Sequence, residues 1–191
     1  MASLHVKYGT MGSAKTLDLL RTAYNYEERG KKVLLLTSVI DDRYGVGKIK
    51  TRLGLERDAT VVKQDDDIVN IYVNKLLEQT IDVVLVDESM FLTSKQIWQL
   101  SDIVDEFNIP VICYSLISDY RGFSFEASNT LMTIADKREE IKAICHCGRK
   151  TTMNARIVDG KVVKEGKQID VGGNDKYIGL CRRCWKEGRL E

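Results

Sequence analysis

The chain of 191 residues has no excess of either charge, because 29 Lys and Arg residues stand against 28 Asp and Glu residues. This balance does not favour a nucleic-acid backbone or an anionic membrane as the partner. No apolar run approaches the roughly 20 residues that a membrane span needs, and residues 1–5 lack the basic and apolar segments of a signal peptide. The sequence also lacks internal repeats and low-complexity tracts. We therefore expect a cytoplasmic protein that acts on small soluble molecules, with no nucleic-acid or membrane partner.

Cysteine is scarce as well, and four of the five cysteines form two close pairs near the C-terminus, Cys145 with Cys147 and Cys181 with Cys184. In a reducing compartment such pairs are typical of metal sites rather than disulfides. Two thiolate pairs brought together predict a structural, tetrahedral Zn²⁺ site. The first pair is one residue short of the usual spacing, so His146 is an alternative ligand in place of Cys145 or Cys147. Four free thiols are the other alternative.

The most specific motif is a Gly-rich segment between a short apolar run and a helical pattern. Backbone N–H groups in such a turn form a cradle for phosphate oxygens at the N-terminus of a helix. We expect Lys15 to reach the β- and γ-phosphates of a nucleoside triphosphate and the Thr16 hydroxyl to bind Mg²⁺. Ala14 stands where the GxxxxGK[ST] pattern has its second Gly, so a methyl group must fit there. The loop comprises Gly9, Thr10, Met11, Gly12, Ser13, Ala14, Lys15 and Thr16.

An acidic pair follows the apolar run at residues 82–86, where a strand of a parallel sheet would end. Asp87 is the candidate ligand of Mg²⁺, directly or through water. Glu88 is placed to accept a proton from an attacking hydroxyl or water. The alternative is that Asp87 and Glu88 cap the following helix.

The chain alternates between strand and helix patterns, which predicts an α/β fold: a P-loop parallel sheet flanked by helices. From Cys145 onward, short segments with Gly and paired cysteines predict a small zinc-stapled module. We therefore divide the chain into a nucleotide-binding domain, residues 1–140, and a zinc-binding domain, residues 141–191. Strands are predicted at Leu4–Tyr8, 33–36, 82–86 and 110–114, helices from the loop towards Gly30, at 65–79 and at Ser94–Phe107, and a long loop at 37–58.

In this combination the sequence resembles the thymidine kinase family whose members carry a small zinc domain, the human cytosolic type among them. The resemblance covers nearly the whole chain. It implies that ATP donates a phosphate to the 5′-hydroxyl of thymidine or deoxyuridine, and that the subunits form a homotetramer. The matching segments are the phosphate loop, Asp41-Asp42-Arg43-Tyr44, Asp87-Glu88-Ser89-Met90-Phe91, Asp119-Tyr120-Arg121-Gly122, the cysteine pairs, and Val171-Gly172-Gly173 before Tyr177.

The resemblance also implies roles for individual residues. Glu88, Lys15 and Arg43 match catalytic positions, and Ser89 and Met90 extend the nucleotide site. Residues 153–177 match a lasso that folds over the nucleoside. The substrate-binding positions that match are Met11, Asp41, Tyr120, Arg121, Val171, Gly172, Gly173 and Tyr177.

Several positions depart from the family pattern: Ala14 in the loop, Met90 where Gln is usual, Ile117 where Asp is usual, and the shortened first cysteine pair. Asn154 falls where the family has a polar Thr near the base, so it could hydrogen-bond the nucleoside. Two alternative functions are a P-loop ATPase, in which Glu88 polarises water, and a non-catalytic relative that binds nucleotide or nucleoside.

Overall fold

The computed structural model describes residues 1–41, 45–169 and 177–191, which form a parallel sheet with helices on both faces and a smaller antiparallel sheet. Both parts agree with the predicted α/β class. The elements in chain order are β1 Leu4–Tyr8, α1 Lys15–Glu27, β2 Val33–Ser38, β3 Lys48–Lys50, β4 Glu56–Asp58, β5 Thr60–Val62, α2 Ile68–Glu78, β6 Val83–Asp87, a 3₁₀ turn Ser89–Phe91, α3 Ser94–Phe107, β7 Val111–Ser115, α4 Glu126–Ile134, β8 Lys137–Glu140, β9 Met153–Val158, β10 Lys161–Val163, β11 Tyr177–Leu180 and α5 Arg182–Glu187.

The main sheet has six strands in the order β5-β2-β6-β7-β1-β8, and every neighbouring pair is parallel. All five residues of β6 and all five of β7 are buried, as expected of central strands covered on both faces. The registers pair Tyr8 with Ser115 and Thr37 with Asp87. The carboxyl ends of β1, β2, β6 and β7 therefore lie together at one edge of the sheet.

The core consists of two layers, one on each face of this sheet. Along β6, Val84 and Val86 pack in the layer shared with α2, α3 and α4, whereas Val83 and Leu85 pack against α1. This alternation follows from the two-residue period of a strand. Cys113, in β7, is a buried core residue, and burial raises the pKa of its thiol.

Helix α3 has the predicted bounds because its start is encoded locally. The Thr93 hydroxyl accepts from the backbone N–H of Gln96 at 3.2 Å, and the Gln96 side chain accepts from the N–H of Thr93 at 3.0 Å. This reciprocal capping satisfies two N–H groups that the helix leaves unpaired. Helix α2 begins later than predicted, because Asp67 rather than Asp65 caps it through the N–H of Asn70.

The predicted loop at residues 37–58 is wrong in part, because β3 and β4 form an antiparallel hairpin within it. The hairpin carries ion pairs instead of an apolar period: Lys48 and Lys50 lie 3.1 and 3.0 Å from the Glu56 carboxylate. The sequence pattern does not predict β5, α4 or β8 either, nor the individual strands and helix that follow Cys145. Strand β8 is an edge strand of charged residues, which has no hydrophobic signal.

The smaller sheet has the order β10-β9-β11 and packs with α5 around three of the paired cysteines. Its buried cluster contains Cys145, Ala155, Leu180, Cys181 and Cys184. Within the described ranges, no helix is long and apolar enough to cross a membrane.

Candidate active site

The phosphate loop joins β1 to α1 at the carboxyl edge of the main sheet. The N–H of Gly9 donates to the Ser115 carbonyl at 3.3 Å, which extends the β1–β7 pairing into the loop. The Lys15 ammonium is buried over the loop and donates to the carbonyls of Thr10 and Gly9 at 3.0 and 3.4 Å. Gly9 has no room for a side chain, since a Cβ there would lie 2.4 Å from Ser13 Oγ. The predicted loop residues are thus brought together at the N-terminus of α1.

Ala14 adopts a left-handed conformation, with φ 63° and ψ 30°, directly before α1. This conformation costs an L-residue with a Cβ about 1–2 kcal/mol, a penalty that glycine does not have. The side chain itself is exposed. Glycine is therefore favoured at this position because of the left-handed backbone conformation. Crowding of the Ala14 methyl group is not the reason.

The acidic pair ends β6 beside the loop. Thr16 Oγ1 donates to Asp87 Oδ2 at 3.2 Å, and the N–H of Glu88 donates to Asp87 Oδ1 at 3.1 Å. Both carboxylates are buried. Glu88 has φ 46° and ψ 42°, a left-handed conformation that is rare for non-glycine residues. Residues held in such conformations cluster at functional sites. The capping alternative is wrong for α3, because Thr93 caps that helix and Glu88 precedes the 3₁₀ turn without a side-chain cap.

A polar cleft lies over the phosphate loop. Its volume is about 860 Å³ when the open space at its mouth is included. Its far wall is the end of β3 and the turn that follows, which place Lys50 and Arg52 opposite the loop. No pattern in the sequence assigns these two basic residues to the site, and the available signal was two basic residues shortly before Gly54. The cleft is lined by Met11, Gly12, Ala14, Lys15, Thr16, Leu17, Lys50, Thr51, Arg52, Leu53 and Glu88.

A second, largely apolar pocket adjoins the cleft at Glu88, and its volume is about 530 Å³ with the open space at its mouth included. The Phe91 and Phe125 rings meet edge to face in its wall, with centroids 6.1 Å apart. Glu88 and Met11 line both the cleft and the pocket. The pocket residues are Met11, Glu88, Met90, Phe91, Leu116, Ser118, Asp119, Tyr120, Phe125, Asn154, Gln168, Ile169 and Tyr177.

Tyr120 and Arg121 hold a chain segment beside this pocket. The Tyr120 hydroxyl contacts the carbonyls of Glu165 and Lys167 at 3.1 and 2.9 Å, and Arg121 Nη1 donates to the Gly166 carbonyl at 3.1 Å. Gly166 has φ 127°, and a Cβ there would lie 2.6 Å from the Tyr120 hydroxyl. The segment 165–167 is therefore fitted closely to Tyr120.

The remaining predicted site residues do not all lie at the phosphate cleft. Ser89 is buried and its hydroxyl donates to the Tyr114 carbonyl at 3.0 Å, whereas Met90 lines the apolar pocket rather than the phosphate cleft. Asp41 is buried, and its N–H donates to the Ser38 carbonyl at 3.1 Å. Arg43, Val171, Gly172 and Gly173 lie outside the described residues.

The four paired cysteines converge at one point. Their sulfur atoms all lie within 4.8 Å of one another, and Cys147 Sγ is 3.6 Å from Cys181 Sγ. Tetrahedral Zn–S bonds of about 2.3 Å require sulfurs about 3.8 Å apart, so these residues could hold Zn²⁺. The N–H of Cys184 donates to Cys181 Sγ, which lowers the pKa of Cys181 to about 6 and favours the thiolate that binds metal. His146 packs beside the cluster, with Nε2 3.4 Å from Cys184 Sγ.

The parallel sheet, the loop before α1 and the acidic pair ending β6 define a P-loop protein of the α/β class. The chain belongs to the thymidine kinase family, since the model of that family, described as thymidine kinase, matches residues 2–185. It is similar to a thymidine kinase of Francisella tularensis subsp. holarctica, with 47% identity over 197 residues and all of both chains covered. A thymidine kinase of Idiomarina loihiensis is 47% identical, and one of Agrobacterium fabrum 46%, each over 188 residues, with 98% of this chain and 97% of the relative covered.

The strain at Ala14 predicts the effect of replacing it by glycine. We expect Ala14→Gly to raise the free energy of unfolding by up to about 1 kcal/mol, because glycine adopts positive φ without the Cβ penalty. The use of ATP should be preserved or improved. Denaturant unfolding and the KM for ATP measure the two effects.

The matched control is Ala23→Gly in the interior of α1, which should lower the free energy of unfolding by about 1 kcal/mol or more. A destabilised Ala14→Gly variant with poorer ATP use would contradict the interpretation, and would mean that the loop is shaped around Ala14.

Proposed function

We propose that the chain transfers the γ-phosphate of ATP to the 5′-hydroxyl of thymidine, or of deoxyuridine, and so produces dTMP. The observation that carries this proposal is the position of Glu88, which lines both the polar cleft over the phosphate loop and the apolar pocket. Membership of the thymidine kinase family, and the name thymidine kinase carried by full-length relatives, support the choice of nucleoside.

The cleft is suited to the triphosphate. The first N–H groups of α1 have no partners within the helix and favour an anion at its N-terminus. Lys15 on the loop and Arg52 on the opposite wall add positive charge to the cleft, while Lys50 shares its charge with Glu56. Phosphoryl transfer depends mainly on positioning and charge stabilisation, which this arrangement supplies. We assign Arg43 to the transferring phosphate as well, on the family resemblance.

Asp87 and Thr16 fit a Mg²⁺ site, because their oxygens lie 3.2 Å apart beside the phosphate loop and hard cations prefer oxygen ligands. When bound, Mg²⁺ neutralises charge on the β- and γ-phosphate oxygens. We place Asp41, which is buried after β2 on the same edge of the sheet, near the transferring phosphate and the metal.

The apolar pocket is suited to a pyrimidine nucleoside. Its aromatic and sulfur-containing walls favour a planar base, while Tyr120 and Arg121 hold segment 165–167 beside it. We propose that residues 171–173 and Tyr177 complete the cover. The nucleoside 5′-hydroxyl then faces Glu88, whose carboxylate takes the proton as the oxygen attacks the γ-phosphorus and ADP leaves.

We further propose that the four cysteines hold a structural Zn²⁺ and that residues 141–191 form a lasso domain attached to the nucleotide-binding domain, residues 1–140. The small apolar cluster of the module supports this, since modules of this size depend on a metal for folding. A homotetramer in the cytoplasm is proposed from the family resemblance.

Replacement of Glu88 tests the proposed chemistry. We expect Glu88→Gln to lower kcat for thymidine phosphorylation by about 100-fold or more, because a positioned base is lost, while ATP binding changes little. Turnover is measured with thymidine and ATP, and nucleotide binding by calorimetry. Glu106→Gln, on the exposed side of α3, is the control and should behave like the parent.

Phosphorylation of thymidine by Glu88→Gln at the parent rate would contradict the assignment of the base. ATP hydrolysis by the parent that does not depend on a nucleoside would favour the P-loop ATPase. Binding of both ligands without any turnover would identify a non-catalytic relative.

The basic wall opposite the loop generates a prediction for Arg52. We expect Arg52→Ala to raise the KM for ATP about 10-fold or more, because a charge-assisted contact to phosphate contributes roughly 1.5–3 kcal/mol. Lys95→Ala is the control, since Lys95 is an exposed basic residue of α3 that does not line the cleft. Steady-state kinetics at varied ATP compare the two variants, and an equal, small effect of both would contradict the assignment.

The cysteine cluster generates a prediction about metal content. We expect about one Zn²⁺ per chain by atomic absorption, and we expect Cys184→Ser to lose it and to unfold at a lower temperature. Cys113→Ala, in the core of the main sheet, should keep the metal. His146→Ala should also keep it if four sulfurs bind the ion, whereas loss of zinc in this variant would make His146 a ligand.

A further inference from the structure

Asn154 lies on β9 at the point where the smaller sheet meets the phosphate loop, and it is 3% exposed. Its Oδ1 accepts from the N–H of Met11 at 2.8 Å, and its Nδ2 donates to the Ser118 carbonyl at 2.6 Å. Asn154, Met11 and Ser118 all line the apolar pocket. The buried carboxamide of Asn154 therefore joins the phosphate loop to the chain segment at Ser118, which lines the apolar pocket.

The phosphate loop has two further contacts with the C-terminal part of the chain, one at Thr151 just before β9 and one at Gly179 on β11. The hydroxyls of Thr151 and Thr10 are hydrogen-bonded at 2.7 Å. Gly179, on β11, lies so close to the loop that a Cβ there would be 2.7 Å from the Met11 carbonyl oxygen. The loop is therefore held by the smaller sheet as well as by β7.

The Asn154 contacts matter energetically because they are buried. An unsatisfied buried donor or acceptor costs about 1–3 kcal/mol, so loss of the carboxamide would leave the Met11 N–H and the Ser118 carbonyl in an unfavourable state. Met11 is the third residue of the loop and faces both the cleft and the pocket. The conformation of the loop at Met11 thus depends on a residue of the nucleoside pocket.

We propose that Asn154 is a positioning residue that couples the two substrate sites: a nucleoside in the pocket contacts Asn154 and Met11, and thereby favours one shape of the phosphate loop for ATP. This inference rests on the proposed function. A ligand that stabilises this shape of the loop strengthens the binding of the other ligand, and the effect is reciprocal. A base-reading role alone, as its sequence position suggested, would give Asn154 no influence on ATP.

The test measures binding of a non-hydrolysable ATP analogue by calorimetry, without thymidine and with saturating thymidine. We expect the parent to bind the analogue at least about fivefold more tightly with thymidine. The ratio that matters is the Kd of the analogue without thymidine divided by its Kd with thymidine. Asn154→Leu, which has a similar size but makes neither hydrogen bond, should reduce this ratio to nearly one and raise the KM values of both substrates. Asn154→Asp keeps an acceptor for Met11 but sets an oxygen against the Ser118 carbonyl, so its ratio should be intermediate.

Two further variants separate coupling from a loss of folding. Thr151→Val removes the hydroxyl bond to Thr10 and should lower the ratio in part, which keeps the test open if Asn154→Leu does not fold. Thr152→Ala changes an exposed neighbour and should retain the parent ratio.

An equal ratio in the parent and in the folded Asn154 variants would overturn the proposal, as would a parent ratio of one. A rise in the KM for thymidine alone would also overturn it, in favour of base reading. A parent that neither binds nor phosphorylates thymidine would contradict the proposed function itself, and the inference would be rejected with it.

Discussion

The parallel register of the central strands is the constraint on which the rest of the site depends. Pairing of Tyr8 with Ser115, continued by the bond from Gly9 to the Ser115 carbonyl, fixes where the phosphate loop begins. Pairing of Thr37 with Asp87 fixes where β6 ends relative to β2. A shift of one residue would exchange the faces of a strand and separate Asp87 from Thr16. Burial of both faces of β6 and β7 makes such a shift costly, so the apolar core sets the geometry of the polar site.

The backbone strain of the described chain is concentrated at this edge. Four non-glycine residues in the described ranges have positive φ: Ala14, Glu88, Asn108 and Asp159. Asn and Asp tolerate this conformation, whereas Ala and Glu do so at a cost of about 1–2 kcal/mol each. Both costly residues flank the same cleft. The packing of the sheet and α1 offsets that strain. As a result, the start of α1 and the Glu88 carboxylate both lie at the cleft.

The sequence predicted those parts of the molecule that have local signals. Helix α3 follows from its apolar period and the cap at Thr93, and the convergence of the cysteines follows from their pairing. The β3–β4 hairpin has exposed ion pairs in place of a period, so Arg52 could not be assigned to the cleft from the sequence. The contact of Asn154 with Met11 spans 143 positions and depends on how two sheets meet, which no local pattern encodes.

The smaller sheet contributes residues to the apolar pocket and also contacts the phosphate loop. Its described apolar cluster is small and includes three of the four converging cysteines, so the sulfur site contributes directly to its packing. Asn154 and Gly179 of the same sheet, together with Thr151 just before β9, contact the phosphate loop. Cys181 directly follows β11, and Gly179 of that strand pairs with Asn154 of β9, so the strand that ends at the cysteine cluster also carries these contacts. Two paired strands thus join the cysteine cluster to the phosphate loop, although the cysteines lie more than a hundred residues from the loop in the chain.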